Sequence, residues 1–407
     1  MCEKFDFPRD MTANIEKFAK HFPIILITGA RQVGKSTLVK TLKNFNYITF
    51  DDISFISLAQ NDPVRFIDDL KTPSILDEVQ RVPDLLIAIK KSVDENRSAG
   101  RFILTGSADV IKLKKVKETL AGRVVLAQLP PLSQKEIRNK KPLSLETLHN
   151  HPRDLELNDT ITRDKIINAI IVGGYPERNK ITDNDMRKSW TDSYISTYIQ
   201  QDIQNINEIR NINSFFTLFN ILPPLSATLI SKQKLASDVK ISAPTIDNYL
   251  ELLTQIYQIT WLPSWSSKIG KQFIKNSKMY FTDTGLLTHI LRIFSVEQYK
   301  NSSFCGNIFE TFVLAELRKA INNQLSDDKI FYMRTSDGKE VDFIIESEHR
   351  PLAIEVKFSE TIRFDDFKHI MFLQDKRPEF QGIIFYTGNK IIPFGDNCTA
   401  VPVSALF

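Results

Sequence analysis

Pro23-Ile-Ile-Leu-Ile-Thr-Gly29-Ala-Arg-Gln-Val-Gly34-Lys35-Ser36 is the stretch that decides how this chain folds. Its first half is a short β-branched apolar run, the profile of a strand buried on both faces of a parallel sheet. Its second half fits GxxxxGK[ST], and helical spacing resumes after Lys35. A glycine-rich turn between strand and helix lets backbone N–H groups wrap a phosphate, and the helix N-terminus adds positive dipole. Gly29, Ala30, Arg31, Gln32, Val33 and Gly34 form that wrap, with Thr37 closing the nucleotide-contacting run. Lys35 is placed to reach β- and γ-phosphates, and the Ser36 hydroxyl to ligate Mg²⁺. The cofactors expected are therefore ATP and Mg²⁺.

Outward from this loop, Ser74-Ile-Leu-Asp77 and Arg101-Phe-Ile-Leu-Thr105 read as two further buried strands. Strands alternating with helical segments predict an α/β fold with a parallel sheet. The second strand ends in Asp77-Glu78, which suits Asp77 to the Mg²⁺ shell and Glu78 to orienting and deprotonating water. Thr105, Gly106 and Ser107 follow the third strand. Two readings compete there: a polar tip that senses the γ-phosphate, or a plain helix cap.

Composition narrows the classes. The 407 residues predict two to four domains, and 42% hydrophobic with 25% charged residues is ordinary globular usage. The formal charge of +4 is too mild to announce a nucleic-acid partner by itself. Three cysteines, Cys2, Cys305 and Cys398, show neither disulfide nor metal spacing, so a reducing cytoplasm is expected. No apolar run approaches the ~20 residues that span a bilayer, so no membrane partner is expected. The acidic and basic residues near the start do not form a signal peptide.

Several stretches together resemble the bacterial and archaeal AAA+-superfamily ATPases that carry an uncharacterised C-terminal domain. They are Leu76-Asp-Glu-Val-Gln80, Phe102-Ile-Leu-Thr-Gly-Ser107, Leu120-Ala-Gly-Arg123, Gly173-Gly174-Tyr175-Pro176-Glu177, Tyr280-Phe-Thr-Asp-Thr-Gly-Leu-Leu287 and Gly306-Asn-Ile-Phe-Glu310. The resemblance spans nearly the whole chain and leaves the polar stretch 133–165 unmatched; that stretch reads as a connection or a loose part of a lid. It implies a P-loop core of the origin-recognition-like type over 1–132 and a linker with helical lid over 133–224. A winged-helix segment over 225–289 and a nuclease-like domain over 290–407 follow. Arg123 is the candidate arginine finger, in cis or on a neighbouring subunit, against the plainer reading of a surface salt bridge. Arg81 is a weaker candidate.

Within 225–280, Lys234-Leu-Ala-Ser-Asp-Val239 reads as one helix and a second opens at Pro244. Ile246, Tyr249, Leu250 and Leu253 form its core stripe, and Ile259-Thr-Trp-Leu262 resembles a wing strand. Seven lysines, no arginine and three acids give this span a local excess of four positive charges. The excess favours phosphate contact, whereas Thr245, Asp247, Asn248 and Glu251 make a poor major-groove surface. Non-specific DNA contact and protein docking both remain open, and DNA contact would run through Lys268, Lys271, Lys275 and Lys278.

Near the C-terminus, Glu340-Val-Asp342-Phe-Ile-Ile345 and Leu352-Ala-Ile-Glu355-Val-Lys357 alternate about the turn Ser347-Glu-His-Arg350. A hairpin centred on that turn sets Asp342 opposite Glu355, with Lys357 on the same face. Two such carboxylates can ligate Mg²⁺ while the lysine stabilises a phosphate or the attacking water. The arrangement resembles the D…ExK core of PD-(D/E)xK nucleases, and Glu310 matches the acid that such folds bring from a preceding helix. Asp342, Glu355 and Lys357 are then the candidate catalytic residues, with Glu310, Asp342 and Glu355 as metal ligands. Val341 stands where the motif has proline, which leaves cleavage open. The competing reading is an edge hairpin with a solvated polar face. Overall the chain is expected to be an ATPase that couples nucleotide state to DNA binding or cleavage. The alternative is a nucleotide-dependent switch whose C-terminal domain binds protein or nucleic acid without cutting. The oligomeric state is not legible.

Overall fold

The computed structural model describes residues 7–106, 120–157, 161–199, 211–265 and 277–407. Five parallel strands form the first sheet: β1 (Ile24–Thr28), β2 (Asn46–Thr49), β3 (Ser74–Asp77), β4 (Phe102–Thr105) and β5 (Val124–Gln128). Their order is β2-β3-β4-β1-β5. The three strands expected from sequence are all present, and β1, β3 and β4 are buried along their whole length. Alternate residues feed two cores. Ile24, Leu26, Leu76, Phe102 and Leu104 pack beneath the helices Ile53–Asn61, Pro63–Asp68 and Leu85–Glu95. Ile25, Ile27, Ile75 and Ile103 face the opposite way, into a core that continues to Phe407.

A small antiparallel sheet follows, with β6 (Thr228–Leu229), β7 (Ile259–Leu262) and β8 (Lys278–Phe281) in the order β6-β8-β7. Two helices, Lys232–Val239 and Ala243–Gln255, precede β7. The expected stripe Ile246, Tyr249, Leu250 and Leu253 is buried, while Asp247, Asn248 and Glu251 are exposed.

The C-terminal sheet has six strands: β9 (Lys329–Arg334), β10 (Glu340–Glu346), β11 (Leu352–Lys357), β12 (Gln381–Tyr386), β13 (Ile392–Pro393) and β14 (Cys398–Pro402). Neighbours run antiparallel from β9 through β11, parallel from β11 through β12 to β14, and antiparallel again at β13. The helix Lys368–Gln374 makes the crossover between the parallel pair β11 and β12. Three of the five neighbouring pairs are thus antiparallel and two are parallel. A 19-residue helix, Cys305–Asn323, lies between this sheet and the first.

The stretch read as a loose connection is not loose where it is described. Ser133 and Glu136 form a reciprocal capping box that starts the helix Gln134–Ile137. Leu143, Leu145, Leu148 and Leu155 are buried, and so is His149. Its polar composition conceals an apolar stripe packed against the chain's later half. Among the described residues no helix is long and apolar enough to cross a membrane.

Candidate functional site

The loop after β1 has the backbone that its glycines predict. Gly34 takes φ 93° and begins the helix Lys35–Thr41. A Cβ on Gly29 would lie 2.3 Å from the Leu129 carbonyl oxygen, so only glycine fits there. Gln32, at φ 63°, also adopts the left-handed conformation that curls the loop. Lys35 is buried and donates to the carbonyls of Gly29 at 3.0 Å and Ala30 at 2.9 Å.

Strand order then assembles the acids. β4 separates β1 from β3, so the carboxyl ends of all three strands meet at one crevice. Ser36 Oγ donates to Asp77 Oδ1 at 3.1 Å, joining the two halves of the expected Mg²⁺ site. The Tyr47 hydroxyl, on β2, donates to Asp77 Oδ2 at 2.6 Å. Burial first, and the Asp77 carboxylate second, hold the Tyr47 phenol well above its ordinary range. Thr105 is fully buried. Its hydroxyl donates to Asp77 Oδ1 and accepts the Glu78 N–H at 3.2 Å. Thr105 thereby fastens the two acids to each other. Glu78 sits at φ 61°, a left-handed position that costs a non-glycine residue roughly 1–3 kcal/mol and that concentrates at functional sites. Gln80 Nε2 donates to the Glu78 carboxylate. Ser107 lies outside the described residues.

The reading of Arg123 as a finger in cis is corrected. Ile24 pairs with Val124 and Thr28 with Gln128, so Arg123 precedes β5 at the sheet end opposite the phosphate loop. It is held there by Asp94, with Nε–Oδ1 2.5 Å and Nη2–Oδ2 2.9 Å. It is therefore a surface ion pair and cannot serve its own loop in cis. Arg81, by contrast, follows β3 at the correct end and pairs with Asp51 at 2.7 Å.

One residue that sequence reasoning missed braces the loop. Arg9 donates to the carbonyls of Val33 at 2.7 Å and Pro130 at 2.6 Å, and its Nε bonds Glu136 Oε1 at 3.1 Å. Arg9 also lines a cavity of about 450 Å³ with Phe7, Pro8, Gly34, Thr37 and Pro176. That volume suits a nucleoside, and it opens directly beside the loop.

The second cluster lies on the C-terminal sheet, and its hairpin has the expected register. Phe343 faces Ile354, Ile344 faces Ala353 and Ile345 faces Leu352, so Asp342 and Glu355 come next along the ladder. An irregularity in the β9–β10 pairing falls between Val341 and Ile344, the gap that holds Asp342 and Phe343. Asp342 Oδ2 accepts the Val356 N–H at 2.8 Å, and Glu355 Oε2 pairs with Lys357 Nζ at 3.3 Å. Glu310 faces the same cluster, with Oε1 2.6 Å from the Tyr280 hydroxyl and 3.2 Å from Lys278 Nζ. Burial first, and the Asp342 charge second, push Glu310 and Glu355 each up to about 8. Burial raises Asp342 as well.

Lys278 is the second correction. It was expected on a phosphate-contacting surface, yet it is buried against Glu310 and Glu340. Burial alone would lower its pKa; Glu310, Asp342 and Glu340 outweigh that and hold it above the ordinary lysine range. Lys268, Lys271 and Lys275 lie outside the described residues. Lys278 and Tyr280 were findable, since alternation along β8 puts both on one face.

The two clusters differ in readiness for a metal. Ser36 and Asp77 offer converging hard oxygens, which suits Mg²⁺. At the second cluster the donors are also carboxylates, and Glu355 Oε1 is buried without a hydrogen-bond partner. Glu310 Oε1, however, is already engaged, and among the described residues no three His, Cys, Asp or Glu side chains are arranged to hold a metal ion.

Comparison with known proteins agrees with the first site. Residues 21–138 match the AAA domain family. Residues 163–297 and 305–406 match two domains of unknown function, DUF8612 and DUF4143. An uncharacterised protein of Methanocaldococcus jannaschii is 30% identical over 346 residues, covering 81% of this chain and 73% of the relative. The chain belongs to the P-loop AAA ATPase family. Within this family's reach, an uncharacterised protein of Mycobacterium tuberculosis is 26% identical over 400 residues, covering 98% of this chain and 84% of that one. Among solved structures, the Walker-type ATPase of Pyrococcus abyssi covers 71% of this chain and 97% of its own, at 15% identity and TM-score 0.44. Cdc6p from Pyrobaculum aerophilum covers 72% and 96%, at 13% identity and TM-score 0.26.

Two stretches that carried the resemblance to the family meet in space. Asp283 Oδ2 accepts the Gly174 N–H at 2.7 Å, and Gly174 O accepts the Leu132 N–H at 2.8 Å. A Cβ on Gly173 would strike Asp283 at 2.5 Å, and one on Gly285 would strike Val172 O at 2.4 Å. Arg178 is buried beside them and donates to the carbonyls of Ile171 and Gly285.

Proposed function

We propose that this protein binds and hydrolyses ATP and uses nucleotide state to control a C-terminal site directed at nucleic acid. The observation that carries the ATPase reading is the set Ser36–Asp77–Thr105–Glu78, hydrogen-bonded in series at the mouth of the phosphate loop. Lys35 holds the phosphates once they displace the carbonyls of Gly29 and Ala30. Mg²⁺ bound by Ser36 and Asp77 would neutralise phosphate charge. Glu78, aimed by its left-handed backbone, takes the proton from the attacking water. The cavity between Phe7 and Pro176 takes the nucleoside.

Support for the C-terminal half of the reading is the helix–hairpin–strand order with Glu310, Asp342, Glu355 and Lys357 gathered at one place. With Lys278 withdrawn from the surface, an electrostatic DNA contact has to rest on other lysines of the winged-helix-like segment. The engaged state of Glu310 favours a second reading, an interaction switch that binds without cutting. Turnover and ATP binding of Glu78→Gln test the first claim. Binding should persist and turnover should fall at least about a hundredfold. Wild-type turnover removes Glu78 from the reaction. Mg²⁺-dependent cleavage by the intact chain, lost in Glu355→Ala, separates the two C-terminal readings.

A further inference from the structure

Lys278 opens β8, a strand of the small antiparallel sheet, yet it delivers its ammonium to the acids of another sheet. Nζ lies 3.2 Å from Glu310 Oε1 and 2.5 Å from Glu340 Oε1, with 5% of the side chain exposed. A buried ammonium is held there only by the charges that surround it. Lys357 is committed to Glu355 at the far side of the cluster, so Lys278 is the cation on the Glu310 side. Glu355 is 5% exposed and its Oε1 has no hydrogen-bond partner. A divalent cation entering the cluster meets Glu355 Oε1, with His369 Nδ1 3.8 Å away, and a Glu310 oxygen already taken.

We infer that Lys278 is a tethered counter-ion that keeps the C-terminal acid cluster closed to divalent metal, and that metal entry requires Glu310 to exchange Lys278 for the ion. The inference rests on reading the cluster as a divalent-metal site. It accounts for four acids gathered in one place without a ready-made three-ligand metal position among the described residues. It also assigns the lever. Two residues beyond the end of β8, Asp283 accepts the N–H of Gly174, whose loop runs on to Pro176 in the wall of the nucleotide cavity. The strand that carries the plug is thus fastened at its other end to the loop beside the ATP site. Moving that loop draws on the same strand.

The test is Mn²⁺ titration of the full-length chain without nucleotide, by calorimetry and by the loss of free-ion electron paramagnetic resonance signal. Glu355→Gln defines which binding belongs to the cluster. Lys278→Met should tighten the Glu355-dependent binding at least about tenfold, since a divalent ion no longer displaces a resident cation. Lys278→Arg, which keeps the charge, should stay near wild type. Where Met does not fold, as judged by circular dichroism, Lys278→Gln keeps a donor toward Glu310 and should show the same tightening. Equal Glu355-dependent affinity in wild type and in the neutral variants overturns the inference and leaves the metal site standing. Absence of any Glu355-dependent binding, in wild type and variants alike, overturns both the inference and the metal-site reading.

Discussion

Asp283 and Gly174 are joined by a 2.7 Å hydrogen bond from the glycine N–H to a carboxylate that is 3% exposed. The same carboxylate caps the helix Thr284–Ile290 through the Leu286 N–H at 3.0 Å. Removing it leaves two buried N–H donors without partners. Asp283→Ala should therefore destabilise the fold by about 2–4 kcal/mol, measured by urea denaturation. Asp283→Asn should cost less, because its amide oxygen still accepts. A loss below 0.5 kcal/mol, on the order expected of an ordinary surface site, contradicts this role.

Tyr47 touches Asp77 through one hydroxyl, so under the proposed ATPase reading it is a positioning residue for Mg²⁺. Tyr47→Phe should raise the Mg²⁺ concentration for half-maximal ATP turnover several-fold, on the order expected for losing a metal-orienting contact. Turnover at saturating Mg²⁺ should change less. A drop that saturating Mg²⁺ cannot restore would give Tyr47 a different role.

Asp10, next to the loop-bracing Arg9 and sharing Glu136 with it, provides a pH signature. Burial first, and neighbouring Glu136 second, raise its carboxyl to about 6. The folded form thus holds this proton more tightly than the unfolded chain. Stability from this group is complete below about pH 3.8 and is lost as pH rises towards 6. Asp10→Asn should flatten that limb of the stability profile. At pH 8 it should stabilise by about 1 kcal/mol, a figure discounted for partial exposure. Unchanged slope in calorimetric melting between pH 4 and 6 would exclude Asp10 as its source.

His149 and Asp328 form a buried pair, 3.1 Å apart, and the other ring nitrogen of His149 meets the Arg350 carbonyl at 2.7 Å. They pin the helix Leu145–Asn150 to the residue before β9, through Asp328, and to the loop between β10 and β11, through Arg350. His149→Ala should destabilise by roughly 3 kcal/mol, since it strands a buried carboxylate. The Asp328→Asn/His149→Ala double variant should recover part of that loss.

Local features of this chain were legible, and the long-range ones were not. The phosphate loop and its two following strands depend on spacing within a few residues. The hairpin register followed because one polar turn, Ser347–Arg350, separates two clean alternations. The cis reading of Arg123 failed for a physical reason: a motif fixes a residue's neighbours in sequence but not the end of the sheet where it lands. Arg9 and Tyr47 act through partners 24 to 127 residues away and no local pattern marks them, whereas Lys278 shares a strand face with Tyr280 but reaches Glu310, 32 residues on. The buried stripe of 143–155 hid behind charged neighbours.

The helix Cys305–Asn323 spans about 28 Å and belongs to both halves of the molecule. Its early turn brings Glu310 to the second cluster. Farther along, Lys319 Nζ meets Leu132 O at 2.9 Å and Asn322 Nδ2 meets Gln128 O at 2.9 Å, at the edge of the first sheet. Its apolar faces lie in the core that β1 also feeds. A protein assembled this way resists dissection. Cutting the gene on either side of this helix strips an apolar face from each product, so neither fragment should be soluble as an autonomous domain. Co-expressed halves should instead find each other and refold as one, a complementation that requires the same rod to be present once and unbroken.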